Sequence, residues 1–171
     1  DYLAPYHDTA YETDTDYLYA LMDDIMDMNP DARMFMAHPG RYTDDAYPVP
    51  DEGEFSLSWY QSLYDEYDSM LGMEVFNSSN AHAFDRHLWD QLLEENMPER
   101  PIWGFAADDF HGDSLERLGL SKSIHLMEDP SDEDEFYDGL TDGVFYVQYT
   151  RTPRSYAPMV ESLEIDETNR T

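Results

Sequence analysis

Apolar positions in this chain follow two spacings that alternate along the sequence. Stretches with an apolar residue at every third or fourth position predict amphipathic helices, and short apolar runs between turn residues predict buried strands. Helical spacing occupies roughly 14–28, 56–68, 85–95 and 131–140, with a shorter helical turn at 113–119. Apolar runs occupy 34–37, 72–76, 102–106, 123–127 and 144–149. The pattern therefore predicts about five strands that alternate with four or five helices.

Turn and cap residues support these boundaries. Ser56 and Ser131 are expected to cap the second and fourth helices, because serine side chains accept from free backbone N–H groups at a helix start. Asp142-Gly143 is expected to end the fourth helix, since glycine adopts the left-handed conformation that closes many helices.

This order of elements is typical of an α/β fold with mostly parallel strands, because an intervening helix returns the chain to the end where the previous strand began. Residues 1–150 are expected to form this domain. Pro153 and Pro158 interrupt the remaining residues. We therefore interpret 151–171 as a tail or as the start of a following β domain, with one strand near 159–165.

Polar clusters follow three of the predicted strands. The clusters are His38-Pro39-Gly40, Asn77-Ser78-Ser79 and Asp108-Asp109-Phe110-His111. In parallel α/β folds the C-terminal ends of the strands meet on one face, and ligands and catalytic groups lie there. Three such clusters on one face predict a functional site.

The side chains in these clusters suit a divalent transition metal. Asp109 and His111 are two positions apart, so both face the same side of an extended segment. Imidazole and carboxylate ligands suit Zn, Mn or Fe. Two structural interpretations compete: His38 would cap its own loop, and Asp108-Asp109 would form a solvated acidic turn.

Two further residues have properties that point to the same site. Glu74 interrupts an apolar strand, where burial of a carboxylate is costly unless it pairs with a cation, donates as the neutral acid or faces a wet cavity. Arg41 follows the His38 cluster, and a guanidinium matches the oxygens of a phosphate group. A surface ion pair is the alternative role for Arg41.

Composition limits the partners of the chain. The 171 residues include 39 acidic and 9 basic side chains, for a net charge of −30, and Lys122 is the only lysine. Acidic residues spread over the whole chain, with almost no lysine, are typical of the cytoplasmic proteins of halophiles that accumulate salt. A nucleic-acid mimic, a weak calcium-binding surface and an ordinary acidic protein are the alternatives.

Several classes of protein are disfavoured by the same composition. Nucleic-acid binding lacks the basic stripe that would neutralise phosphates. A membrane span needs about 20 consecutive apolar residues, and no such stretch occurs. The chain has no cysteine, which excludes disulfides, thiolate metal sites and cysteine nucleophiles and leaves its redox compartment open.

Taken in order, three motifs resemble the PHP (polymerase and histidinol phosphatase) superfamily over roughly residues 34–149. The motifs are Ala37-His38-Pro39-Gly40, Glu74-Val75-Phe76-Asn77-Ser78-Ser79, and Asp109-Phe110-His111 ahead of Leu118-Gly119. The resemblance implies a distorted β/α (TIM-like) barrel in which two or three metal ions hydrolyse phosphoesters. It implies that His38, Asp109 and His111 bind metal and that the Glu74 element lines the site.

The chain also departs from the superfamily pattern. The superfamily's N-terminal half supplies a His-x-His motif and a bridging glutamate, and no His-x-His occurs here. Asp108 stands where serine is more usual. The chain is therefore expected to be the C-terminal half of such a barrel, with the missing half supplied in cis or by another chain.

We therefore expect an incomplete metal-dependent phosphoesterase acting on a small phosphoester. His38, Asp109 and His111 would hold the metal, and Glu74, Asn77 and Arg41 would act in the site, with Arg41 and Asn77 orienting substrate. The alternative is a non-catalytic acidic α/β domain that acts in cation or protein binding.

Overall fold

The computed structural model describes residues 14–42, 48–53, 55–77, 83–109, 119–150 and 159–160. Four helices and five strands occur in these ranges, beginning with α1 (Asp14–Met28) and β1 (Met34–Met36). They continue with α2 (Leu57–Glu66), β2 (Met70–Asn77), α3 (Ala83–Asn96), β3 (Trp103–Ala107), β4 (Ser121–His125), α4 (Glu133–Asp142) and β5 (Phe145–Tyr149). A 3-10 helix follows β1 at Pro39–Tyr42.

The first three strands form one parallel sheet in the order β1-β2-β3. Met36 pairs with Met73 across β1 and β2, and Glu74 pairs with Phe105 across β2 and β3. Gly72 lies where β2 and β3 approach closely, since a Cβ there would overlap the carbonyl of Trp103. The mixed α/β architecture and the parallel direction of these strands confirm the prediction.

The last two strands, β4 and β5, differ from the predicted parallel arrangement. β4 and β5 pair antiparallel and form a separate two-stranded sheet, with His125 opposite Phe145. Alternation of strands and helices predicted parallel strands here. The seven-residue connection 126–132 can extend about 23 Å, whereas the 10-residue α4 is about 15 Å long. The connection can therefore carry α4 outward, and the helix returns the chain to the end of β4.

The two sheets are joined by aromatic stacking and by one hydroxyl. The ring of Phe105 in β3 stacks on that of Phe145 in β5 with 4.7 Å between centroids, and it also stacks on Phe35 of its own sheet at 4.6 Å. The hydroxyl of Ser123 accepts from the backbone N–H of Ala106 at 3.0 Å. β4 therefore lies beside β3, but the strands in the described ranges form open sheets and do not close a barrel.

The helix caps are partly as expected. Ser56 caps α2, and its hydroxyl accepts from the backbone N–H of Trp59. Asp132, and not Ser131, caps α4, because its carboxylate accepts from two N–H groups of the first turn. Gly143 ends α4 in the left-handed conformation, with φ of 73°. The predicted turn at 113–119 lies outside the described residues except for its last position.

The hydrophobic core lies between the parallel sheet and helices α2 and α3. It contains buried side chains from both layers together with Met22 of α1 and Val49. Its fully enclosed members include Tyr60, Leu63, Tyr64, Met73, Leu88 and Leu92. Met159 and Val160 lie outside any strand, and the remainder of the strand predicted at 159–165 is outside the described residues.

Two tyrosines of this core provide a matched stability test. The hydroxyl of Tyr67 donates to the carboxylate of Asp23 at 2.7 Å and to the carbonyl of Tyr19 at 3.3 Å, which ties α2 to α1. The hydroxyl of Tyr64 is buried with no hydrogen-bond partner among the described residues. We expect Tyr67→Phe to lower the free energy of unfolding by about 1–2 kcal/mol. Tyr64→Phe should leave it unchanged or raise it, because a buried unsatisfied hydroxyl opposes folding.

Chemical denaturation of both variants and of the wild type measures this difference. A loss for Tyr64→Phe as large as that for Tyr67→Phe would contradict the assignment of these two hydroxyls.

Candidate functional site

Glu74 is a buried carboxylate at the centre of the parallel sheet. Its side chain is on β2, and only 3% of the residue surface is exposed. One carboxylate oxygen, Oε2, accepts from the backbone N–H of His38 at 2.7 Å and from Nδ2 of Asn77 at 3.1 Å. Hydrogen bonds of this kind compensate for burial of a carboxylate. Three residues that the sequence assigned to one site are therefore in direct contact.

His38 lies just beyond the C-terminal end of β1. It is a non-glycine residue in the left-handed region, with φ of 33°. Such a conformation costs on the order of 1–3 kcal/mol and persists only where the surroundings impose it, which is common at functional sites. The hydrogen bond from its N–H to Glu74 is one such restraint.

Asp109 occupies the matching position beyond β3. It too is left-handed, with φ of 49°, and it follows the strand whose last residue, Ala107, pairs with Asn77. β1 and β3 flank β2 on opposite sides, so His38 and Asp109 follow the C-terminal ends of the two strands on either side of the one that carries Glu74. This placement agrees with the predicted C-terminal face of the sheet.

Asp108 has a different role from the solvated turn that the sequence suggested for it. Its carboxylate accepts from the backbone N–H of Ser121 at 2.8 Å and from that of Gly119. It therefore links the end of β3 to the start of β4. Both hydrogen bonds of this carboxylate are to backbone N–H groups at the start of β4, and neither is to a residue of the candidate site.

Two predicted site residues are only partly placed or not placed. The backbone of Arg41 belongs to the 3-10 helix after His38, and its side chain lies outside what the structure describes. His111 lies outside the described residues altogether. The roles assigned to both residues remain predictions.

The glycine of the His-Pro-Gly turn is required by close packing. Gly40 is buried against the first turn of α3, where a Cβ would overlap the backbone nitrogen of Asp85 and the carbonyl carbon of Phe84. Its own N–H donates to the carboxylate of Asp85 at 2.6 Å. The turn that carries His38 is therefore seated directly on the start of α3.

Asp85 and Tyr60 are two residues of this region that the sequence did not identify as part of the site. Asp85 is fully buried, and the hydroxyl of Tyr60 donates to the carbonyl of Pro39 at 3.1 Å. In sequence, Asp85 looks like an ordinary acidic residue in the first turn of a helix. Among 39 acidic residues no sequence signal distinguishes it.

The described residues around Glu74 do not form a complete set of metal ligands. Imidazole and carboxylate groups are available from His38 and Asp109. No group of three or more His, Asp or Glu side chains able to share a metal ion occurs among residues 14–42, 48–53, 55–77, 83–109 and 119–150. The third ligand that the resemblance implies, His111, is outside those ranges.

No helix in the described part of the chain has the length and apolarity needed to cross a bilayer.

Comparison of the chain with protein-family models, with curated proteins and with solved structures found no match. The resemblance to the PHP superfamily therefore rests on the three motifs and their order.

Proposed function

We propose that the C-terminal edge of the parallel sheet is part of a metal-dependent phosphoesterase site of the PHP type. The observation that carries the proposal is the hydrogen-bonded group of His38, Glu74 and Asn77, with Asp109 beyond the adjacent strand. Ligands of parallel α/β sheets bind beyond the C-terminal ends of the strands, and this group includes Asn77, the last residue of β2. The order of the three motifs supports the same assignment.

In this proposal His38 and Asp109 hold a metal ion together with His111. Zinc accepts such ligands in fours, or in threes with one position open for water or substrate. A bound ion would polarise a phosphoryl oxygen and lower the pKa of its water. Glu74 fixes the backbone of His38, and Asn77 and Arg41 orient the substrate.

The proposed architecture is a partial distorted β/α barrel. The parallel strands β1, β2 and β3 would form part of its wall, and the missing half would come from the same protein or from another chain. The three proposed ligands are enough for one ion, whereas two-metal catalysis needs a second ion about 3.5–4 Å away with ligands of its own. We therefore propose that the site is incomplete without that half.

A second candidate function is a non-catalytic acidic domain that binds cations or proteins. The observation that favours it is the exposure of acidic side chains, as in the first turn of α4, where Glu133 and Asp134 are exposed. In this alternative His38 and Glu74 would serve only to shape the edge of the sheet.

Metal titration distinguishes the two functions. We expect wild-type chain to bind one Zn²⁺ or Mn²⁺ with modest affinity, and His111→Ala and Asp109→Ala each to lose that site. His125→Phe is the control, because His125 is on β4, outside the parallel sheet. Its ring contacts those of Phe136 in α4 and Phe145 in β5. Calorimetry in molar KCl is the measurement, and equal binding by all four proteins would refute the metal site.

Hydrolysis of an aryl phosphate in the presence of Mn²⁺ is the companion measurement. We expect little activity from this chain, because its ligands support one ion. Robust hydrolysis that Asp109→Ala abolishes would show that the site is complete after all.

A further inference from the structure

The backbone of each residue in the His38-Pro39-Gly40 turn is hydrogen-bonded to a side chain of another element. Glu74 of β2 accepts from the N–H of His38 at 2.7 Å, and Tyr60 of α2 donates to the carbonyl of Pro39 at 3.1 Å. Asp85 of α3 accepts from the N–H of Gly40 at 2.6 Å. Three different elements therefore hold three consecutive residues.

Two of these three groups are entirely enclosed. The exposed fraction is 1% for Tyr60 and 0% for Asp85. Burial of the Asp85 carboxylate is costly in free energy, because an apolar side chain at this position would avoid the desolvation penalty. Its position in the first turn of α3 reduces that cost, since the helix dipole favours negative charge there.

The backbone conformation of His38 shows what these hydrogen bonds restrain. A left-handed φ of 33° is unfavourable for histidine and is imposed by the residues on either side of it. The Glu74 bond fixes the turn at its start, and the Asp85 bond fixes it two residues later. Between these two points the direction of the His38 Cα–Cβ bond is determined.

We propose that Asp85 is a positioning residue that sets the direction of the His38 imidazole through the backbone of Gly40. Tyr60 restrains the same turn more weakly through the carbonyl of Pro39. The inference rests on the proposed function, since it concerns how His38 is presented to a metal ion. Asp85 itself acts as a hydrogen-bond acceptor toward the turn and is not a metal ligand in this proposal.

The acceptor role predicts a specific set of variants. Asp85→Asn keeps an oxygen that accepts from Gly40 and should retain Zn²⁺ affinity within a few-fold of wild type. Asp85→Leu removes the acceptor and should weaken Zn²⁺ binding by about 10-fold or more, the usual cost of losing an outer-shell partner. Tyr60→Phe removes only the hydroxyl and should show a smaller loss in the same direction.

Leu92→Ala is the matched control for a general loss of stability. Leu92 is fully buried in the same helix, and its aliphatic side chain can form no hydrogen bond to the turn. It should lower the melting temperature without changing Zn²⁺ affinity of the folded protein or the His38 imidazole resonances. Calorimetry with Zn²⁺ and histidine-selective NMR, assigned with His38→Ala, provide both readouts in molar KCl.

The outcomes separate the positioning role from the metal site. Unchanged Zn²⁺ binding by His38→Ala would overturn the proposed function. Weaker binding by His38→Ala together with wild-type binding by Asp85→Leu would overturn only the role of Asp85. An equal loss for Leu92→Ala and Asp85→Leu would also overturn it. If Asp85→Leu does not fold, unmoved His38 resonances in Tyr60→Phe and wild-type Zn²⁺ affinity would count against the positioning scheme.

Discussion

Raising KCl into the molar range at pH 7 is expected to convert this chain from a largely unfolded state to a cooperatively folded one. The net charge is −30 on 171 residues, and the acidic side chains of the described helices are mostly exposed. Repulsion among them opposes compaction. A small domain has a free energy of unfolding of about 5–15 kcal/mol, so unscreened repulsion at this density is enough to abolish folding.

Folding should depend steeply on KCl because salt screens the repulsion between surface carboxylates. The Debye length falls from about 10 Å at 0.1 M salt to about 3 Å at 1 M, which is shorter than most separations between surface charges. Far-UV circular dichroism against KCl measures the transition, and sucrose at matched osmolality is the control for effects other than screening. A cooperative fold at about 50 mM KCl with no gain on adding salt would leave the acidity without this explanation.

Moderate acidification should partly replace salt, because carboxylates with ordinary pKa values near 4 begin to take up protons near pH 5. His125 opposes this effect. Burial lowers the pKa of His125, so the folded state favours the neutral imidazole. As the pH falls below 6.5 the unfolded chain takes up this proton before the folded one does, which destabilises the fold. His125→Phe should therefore fold better than wild type near pH 5 at the same KCl concentration.

The sequence predicted the helices and strands well because their apolar spacing is regular. The start of α2 at Ser56 and the end of α4 at Gly143 were confirmed by their caps. The direction of β4 and β5 was wrong, because spacing indicates the type of an element and not the direction in which the chain returns. The stacking of Phe105 on Phe145, which joins the two sheets, is a tertiary contact that apolar spacing along the sequence does not predict.

The candidate site was predicted in part for the same reason. Residues at strand ends could be expected to share one face, and His38, Glu74 and Asn77 do lie in contact. Which acidic residues are buried could not be predicted. Asp85 and Asp108 both accept from backbone N–H groups, and this depends on where loops cross other elements.

The largest effect of a single substitution is expected at Gly40. Alanine there places a Cβ against backbone atoms of Phe84 and Asp85 in the first turn of α3, which cannot move aside as the end of a side chain can. We expect Gly40→Ala to lower the free energy of unfolding by on the order of 3 kcal/mol. The hydrogen bond from Gly40 to Asp85 should be lost as the turn is pushed outward.

Gly139→Ala is the matched control for this substitution. Gly139 is inside α4, where a Cβ would meet only Val144 at an ordinary 3.8 Å. Alanine is favoured over glycine in a helix, so this variant should be more stable than wild type by about 0.5–1 kcal/mol. Denaturation of both variants in molar KCl measures the difference. Because the overlap at Gly40 involves backbone atoms, relaxation of side chains cannot relieve it, and comparable stabilities for the two variants would mean that the His38 turn does not rest on α3.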